Sequence, residues 1–328
     1  MTRMRFGLAV ENFTPAPRVP DLDAIVAYGR RAEELGYDSL WAWDHMFLGT
    51  GRPFPFLESL TTLTVLARET EKVELGTGIL VLPLRNPVLL AKEIATLDYL
   101  SGGRFLFGIG PGWYPAEFSS TGTDVKERGA RTDEILEAVT RLLTADDVTF
   151  KGRYYQFENV TIAPRPPKMP EVWVAGGSRV PDPEFSDVPV LAPSVLRRIL
   201  KADAWISRCS GNQEWVKRDW EEIKGALRAA GRREDEILFS HTNFTYLTEA
   251  ATREEALARQ KPMFDQVMGT HRSFEHLQQS YLLGTIDEII ERLKDLESAG
   301  MEYVVLGPTS DDLGQLDLIA KHLLPAFD

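Results

Sequence analysis

VELGTGILVLPLRNPVLLAKEIATLDYLSGGRFLFGIGPGW, residues 73–113, holds one complete strand–helix–strand unit and decides how the rest of the chain is read. Its first strand, Val73–Pro83, is apolar almost throughout and is interrupted by Gly76-Thr77-Gly78. The helix covers Pro87–Tyr99, and the second strand, Arg104–Gly110, runs straight into Gly110-Pro111-Gly112. A strand apolar on both faces suits a parallel sheet buried between helices, and glycine at its carboxyl end lets another group approach the backbone. Glycine inside such a strand marks a bulge or the close packing of a neighbour.

The same alternation extends both ways along the chain. Upstream, Arg5–Phe13 reads as a strand. A helix follows, with Leu22, Ile25, Val26, Tyr28, Ala32 and Leu35 as its apolar stripe and Gly36 as its cap. Ser39–Asp44 reads as the second strand, and a helix from about Phe56 to Thr70 precedes the third. Downstream of the helix Glu127–Leu143, aromatic and β-branched residues flank Lys151-Gly152 as in a hairpin, an insertion at about 147–169. Strands Glu171–Ala175, Ala202–Ile206, Ile237–Leu247 and Met301–Leu306 follow. They are interleaved with helices around Glu214–Ala230, Ala251–Met268, Ile286–Ala299 and Leu313–Phe327. Eight strands alternating with helices in one continuous chain predict a single α/β domain over 1–328, a (β/α)8 barrel of the TIM type. The competing open Rossmann sheet wants G-x-G-x-x-G after its first strand. Here the first strand leads into Glu11-Asn12-Phe13-Thr14-Pro15, and the glycines of GIGPG follow the fourth strand, where Pro111 lacks an amide donor.

Composition narrows the function. Of 328 residues 43% are hydrophobic and 26% charged, with no run of membrane-spanning length, and MTRMRFGLAVENF reads as a strand rather than a signal peptide. A cytoplasmic protein is expected. One cysteine, Cys209, excludes an intramolecular disulfide, and the five histidines show no zinc-site spacing, so no metal is expected. The net charge of −12 disfavours nucleic acid and anionic membrane as partners, and an anionic ligand needs a local cluster of donors.

In a barrel the site lies at the carboxyl ends of the strands. Those ends hold few charges, several glycines and no nucleophile–base pair, a composition suited to a flat cofactor held against backbone. Asp44-His45 is the sharpest polar pair: an imidazole can donate and accept near neutral pH, and a carboxylate fixes its tautomer. The plain alternative is that Asp44 caps the loop and His45 is an ordinary buried or surface residue. Gly176-Gly177-Ser178-Arg179 offers amides, a hydroxyl and a charge, which fit a phosphate, though the same turn also simply ends a strand. Asn12 and Arg208 are candidates to orient a polar end of the substrate, and Trp41, Trp43, Trp113, Tyr114 and Phe54 to wall an apolar pocket. Arg128, Arg131, Arg197, Arg198 and Lys201 are second-rank bases, since charge runs usually face solvent.

GYDSLWAWDH, LGTGILVLPLRNPVLLAKEIATLDYLSGGRFLFGIGPGW, ERGARTDEILEA and EVWVAGGS, taken together over residues 4–178, resemble the bacterial luciferase-like monooxygenase family, and most of all its F420-dependent oxidoreductase branch. The resemblance implies a TIM-type barrel with bound F420, or alternatively FMN. It also implies two-electron chemistry, either hydride transfer with a small or medium organic substrate or oxygenation by reduced flavin from a partner reductase, and frequent homodimers. By position, Asp44 and His45 would lie beside the cofactor ring, with His45 donating a proton or orienting substrate. A non-prolyl cis peptide would fall at Gly78–Ile79 behind the ring, with Val81 nearby. Gly110 and Gly112 would line the ring or its ribityl chain, and Gly176, Gly177, Ser178 and Arg179 would hold the phosphate. The stretch RVPDPEFSDVPVLAPSV, residues 179–195, departs from the family pattern and reads as a second insertion, a lid or an adaptation to another cofactor tail. A non-catalytic flavin-binding protein on the same barrel is the alternative outside enzymes.

Overall fold

The computed structural model describes residues 3–14, 18–49, 54–181 and 190–328. Its strands are β1 (Arg5–Ala9), β2 (Ser39–Ala42), β3 (Glu74–Thr77), β4 (Leu80–Val81), β5 (Phe105–Gly110), β6 (Val148–Lys151), β7 (Gln156–Val160), β8 (Glu171–Ala175), β9 (Ala204–Ser207), β10 (Leu238–Thr245) and β11 (Tyr303–Pro308). The first helices are α1 (Leu22–Leu35), α2 (Ser59–Glu69), α3 (Pro87–Ser101), α4 (Pro115–Ser120), α5 (Arg128–Thr144) and α6 (Pro193–Ile199). They are followed by α7 (Gln213–Ala229), α8 (Arg253–Met268), α9 (Phe274–Ser280), α10 (Ile286–Ser298) and α11 (Gly314–His322). Hydrogen-bonded neighbours run β3-β2-β1-β11-β10-β9-β8-β5-β4, and β3 also pairs with β5, so the order returns on itself. With β3 and β4 counted as one interrupted strand, this is the (β/α)8 barrel that the alternation predicts. The chain divides into two compact units.

One unit comprises Met1–Glu11, Asp21–Leu40 and Val174–Asp328. Here β1 pairs in parallel with β11 from Arg5↔Tyr303 to Leu8↔Leu306, β11 with β10, and β10 with β9. Every residue of β9 and β11 is buried, as strands covered on both faces require. Asp21 caps α1 by accepting the amides of Asp23 and Ala24, and Gly36 ends it in the left-handed conformation. Along α7 the buried residues are Val216, Asp219, Trp220, Ile223 and Leu227, one helical stripe. Trp220 stacks on Phe239 of β10 at 5.0 Å, and Phe239 stacks on Trp205 of β9 at 5.0 Å. Each such ring contributes about 1.5–3 kcal/mol by leaving water. An aspartate in that stripe requires a partner.

The other unit comprises Asn12–Pro20 and Trp41–Trp173. Asn86 caps α3 through the amides of Val88 and Leu89, Pro87 occupies its first turn, and Gly102 ends it. Arg104 then clamps the base of the unit, donating to Ser101 O, Val73 O, Ala67 O, Thr70 O and Thr70 Oγ1. The single strand expected over Val73–Pro83 is split. Gly76 pairs with Leu106 and Leu80 with Ile109, so the steps from 76 to 80 face the fewer steps from 106 to 109, and the surplus residue forms a bulge. The Gly78–Ile79 peptide within it is cis, as the family resemblance implies. Gly108 makes the bulge possible: a Cβ there would stand 1.9 Å from Thr77 O.

Strands β6 and β7 form an antiparallel hairpin, with Lys151 opposite Gln156. Glu134 of α5 holds its turn by accepting the amides of Arg153, Tyr154 and Tyr155 at 2.7–2.8 Å, and the Tyr155 hydroxyl donates to Arg85 O at 3.2 Å.

Several boundaries differ from expectation. β1 stops at Ala9 rather than Phe13, because Asn12 and Phe13 turn away into a loop where Phe13 bridges to Phe56. Helices α4, α6 and α9, of six or seven residues, are too short to show a helical period in sequence. α6 begins inside the stretch 179–195, and residues 182–189 of that stretch, with the lid suggested for it, lie outside the described residues.

Candidate functional site

The turn after β2 gathers most of the residues singled out from the sequence. Asp44 is buried, and its Oδ2 accepts the Val81 amide at 2.8 Å while Oδ1 accepts Arg85 Nη2 at 2.7 Å and Ser59 Oγ at 3.2 Å. Burial lifts its carboxyl above the ordinary range, against the pull of the Arg85 guanidinium. Arg85 in turn donates to Glu58 at 2.9 Å. Asp44 therefore ties the end of β2 to β4 and to the start of α2. Its hydrogen bonds go to Val81, Arg85 and Ser59 rather than to His45, so the ring is not oriented by the adjacent carboxylate.

His45 has a different partner. Glu117, in the first turn of α4, is 1% exposed, and its two carboxylate oxygens lie 3.1 and 3.2 Å from His45 Nδ1. Glu117 Oε1 also accepts the Met46 amide at 2.6 Å, which fixes the carboxylate. A carboxylate facing Nδ1 places the proton on that nitrogen, so Nδ1 donates and Nε2 carries the free lone pair. Nε2 has no hydrogen-bonding partner among the described residues. Phe56 and Trp113 meet the imidazole edge-on, with centroids at 5.3 and 5.8 Å.

The bulge presents backbone. Gly78 and Ile79 are partly exposed between buried Thr77 and Leu80. Gly110 and Gly112 owe their identity to the side chains opposite: a Cβ would stand 2.5 Å from Ile79 Cδ1 at Gly110 and 2.5 Å from Val81 Cγ1 at Gly112. What these glycines offer a ligand is main chain, since the space beside them is filled.

Asn12 does not orient a substrate as placed. It is fully buried, and both amide hydrogens are donated, to Trp43 O at 2.8 Å and Leu57 O at 2.9 Å, while its oxygen accepts the Trp43 amide. It braces the loop that carries His45. Of the aromatic residues, Trp113 is 39% exposed and Trp43 half-buried, whereas Trp41 is core, packed on Trp173 at 5.0 Å and filling the space above Gly76. Arg131 pairs with Glu127 and stacks on Tyr154, a role in the hairpin.

The turn after β8 is closed in another way. Trp205 Nε1 donates to Gly176 O at 2.8 Å. The Ser178 amide donates to Asp219 Oδ2 at 2.5 Å and its hydroxyl to Asp219 Oδ1 at 2.7 Å, while Arg218 Nη2 donates to Ser178 Oγ at 3.1 Å. Arg179 is buried and donates to Val180 O, and Arg208, half-buried, follows β9. The donors that a phosphate would use at Ser178 are held by a carboxylate, which corrects the reading of Ser178 as a free phosphate contact.

Sequence reasoning missed Glu117, Arg85 and Asp219. Asp219 had a readable signal, an acid on the buried stripe of α7, and Glu117 a weaker one, a lone acid within GWYPAEF. A planar redox ring fits the donor set of the first region: accessible backbone at the bulge, aromatic edges, and one imidazole nitrogen unspent. A phosphate at Ser178 does not fit the second as it stands. Among the described residues no cluster of His, Cys, Asp or Glu could hold a metal ion, and no helix is long and apolar enough to cross a membrane.

Comparison with known proteins agrees with this fold. The chain is 33% identical over 186 residues to an F420-dependent glucose-6-phosphate dehydrogenase of Amycolatopsis mediterranei, covering 55% of this chain and 53% of that one. It spans about half the length of the first curated relatives it matches. It is also 27% identical to the oxygenase component of a flavin-dependent trigonelline monooxygenase of Acinetobacter baylyi, over 99% of this chain and 96% of that one. Among solved structures, the monooxygenase RslO1 from Streptomyces bottropensis superposes with a TM-score of 0.81 at 24% identity, over 99% of this chain and 100% of that one. An F420-dependent secondary alcohol dehydrogenase in complex with an F420-acetone adduct reaches 0.81 at 19% identity over the whole of both chains. Residues 4–181, more than half of the chain, match the family described as luciferase-like monooxygenase, and the chain belongs to that family.

Proposed function

We propose that this protein is an oxidoreductase that uses F420 for two-electron hydride transfer with a small or medium organic substrate, and that His45 is the residue that moves or holds the substrate proton. The observation that carries the reading is the imidazole itself: Nδ1 bound to buried Glu117, Nε2 unspent. The cofactor, when bound, supplies the redox step. The chain's part is to back the ring with the main chain of Gly78 and Ile79, to wall the substrate with Trp43 and Trp113, and to present His45 Nε2 to a substrate oxygen. With Nδ1 protonated toward Glu117, Nε2 accepts a proton from an alcohol or, as imidazolium, returns one to a carbonyl. Glu117 orients the ring, and Asp44 with Arg85 holds the loop at β4 without touching the reaction. Dehydrogenases named for F420 among the relatives support this choice of cofactor.

A second reading, a monooxygenase fed with reduced FMN by a partner reductase, is favoured by one observation: a relative aligned over nearly the whole chain is a flavin-dependent oxygenase component. Spectroscopic titration of the purified chain with F420 and with FMN separates the two. Binding of F420 with weak or absent FMN binding is the expected result, and tight FMN binding without F420 binding overturns the first reading.

A further inference from the structure

We infer that Asp219 is an internal occupant of the anion turn at Gly177-Ser178, a carboxylate standing where a ligand phosphate would bind, and that the turn opens to phosphate only when Asp219 is removed. Its two oxygens take both donors of Ser178, the amide at 2.5 Å and the hydroxyl at 2.7 Å, a bidentate arrangement that mimics two phosphate oxygens. The turn is shaped around it. A Cβ on Gly177, whose φ is 137°, would stand 2.9 Å from Asp219 Oδ2. Ser178 and Asp219 are both sealed, and Asp219 is 1% exposed on a helix stripe otherwise apolar.

Charge reinforces the closure, because a phosphate brought to the same donors would lie against a fixed negative charge that burial leaves poorly screened. Arg218, beside Asp219 and 58% exposed along its side chain, bonds Ser178 Oγ at 3.1 Å. Its cation stands at the rim of the turn and would favour an anion there once the carboxylate is gone. The bearing on cofactor choice rests on the function proposed above: a cofactor held by this chain bonds its phosphate away from Ser178. The occupancy itself does not depend on that function.

The test uses inorganic phosphate as probe and the melting temperature as readout, with chloride at matched ionic strength as control. Wild type is expected to gain from phosphate only the small nonspecific increment that a kosmotropic anion gives any fold, and the variants more than that. Asp219→Ala is expected to melt about 1.5–4.5 °C lower in chloride, as unpaired buried donors predict, and to regain most of that loss in phosphate. Asp219→Ser, with a short side chain that vacates the turn but stays polar, guards against misfolding of the alanine variant and should show the same phosphate-specific gain. A wild type that gains as much from phosphate as the variants overturns the inference, as do variants that melt alike in both salts or stay unfolded in phosphate. Titration of wild type with F420 and FMN tests the redox reading separately, so either can fail without the other.

Discussion

The loop after β2 and the turn after β8 both carry polar side chains at a strand end, and a buried carboxylate governs each of them with opposite effect. Behind His45, Glu117 binds one ring nitrogen and aims the other outward. In front of Ser178, Asp219 binds amide and hydroxyl together and leaves nothing to aim. Residue type alone distinguishes neither case. What decides is whether the organising group meets the side chain from the rear or takes its working atoms.

A third buried pair completes the contrast. His241 Nε2 accepts from Asn243 Nδ2, whose own oxygen accepts the Leu282 amide, so the ring proton sits on Nδ1 and is donated to Ser207 Oγ at 2.6 Å. Both nitrogens are spent, and burial, with Arg292 nearby, holds its pKa down at about 3. It is an imidazole of structure, whereas His45 keeps Nε2 free of any partner among the described residues.

The sharpest way to break the contrast is at His45. His45→Ala is expected to lower turnover by about 10²–10⁴-fold while leaving cofactor affinity within about threefold, measured as kcat against Kd. An equal loss of both would make it a binding or folding residue. Glu117→Gln keeps an acceptor for the Met46 amide but removes the charge behind the ring. A fall in kcat of roughly 10–30-fold, with KM and melting temperature little changed and an altered pH profile of kcat, identifies a positioning residue. Equal melting loss would assign it to structure alone.

At the closed turn the readout moves from turnover to stability. Asp219→Ala should cost about 1–3 kcal/mol in urea unfolding, because two buried donors lose their acceptor. A neutral outcome would mean that water already serves Ser178. His241 supplies a pH signature. Its folded pKa of about 3 lies below the ordinary 6.5, so between those values the unfolded chain binds the extra proton and the folded one does not. Its contribution thus falls as pH drops through that window, by at most about 1.4 kcal/mol per pH unit. His241→Gln should flatten the unfolding free energy between pH 6 and pH 4 by that slope, and an unchanged slope would show that the ring is not held neutral.

The barrel was legible because strand–helix alternation is local and repeats along nearly the whole chain. The cis peptide at Gly78–Ile79 was legible through family resemblance, and His45 became a candidate through the abrupt end of SLWAW in DH. Their partners were not. Glu117 lies 72 residues from His45, Arg85 lies 41 from Asp44, and Asp219 lies 41 from Ser178, separations that only the closed chain brings together. The third strand read as continuous because Ile79-Leu80-Val81 stays apolar across the bulge, and period carries no mark of an extra residue. Donor chemistry was readable in each case, and donor availability was not.

From the hairpin of β6 and β7, Tyr155 reaches the Arg85 carbonyl, and Arg85 holds Asp44. The carboxylate of Glu134 accepts three amides of the hairpin turn. A surface loop is thereby mechanically coupled to Asp44 and the loop that carries His45. Divergence or engineering in that loop, in length or in the aromatic at its tip, can retune the setting of His45 while every residue facing the ligand stays the same.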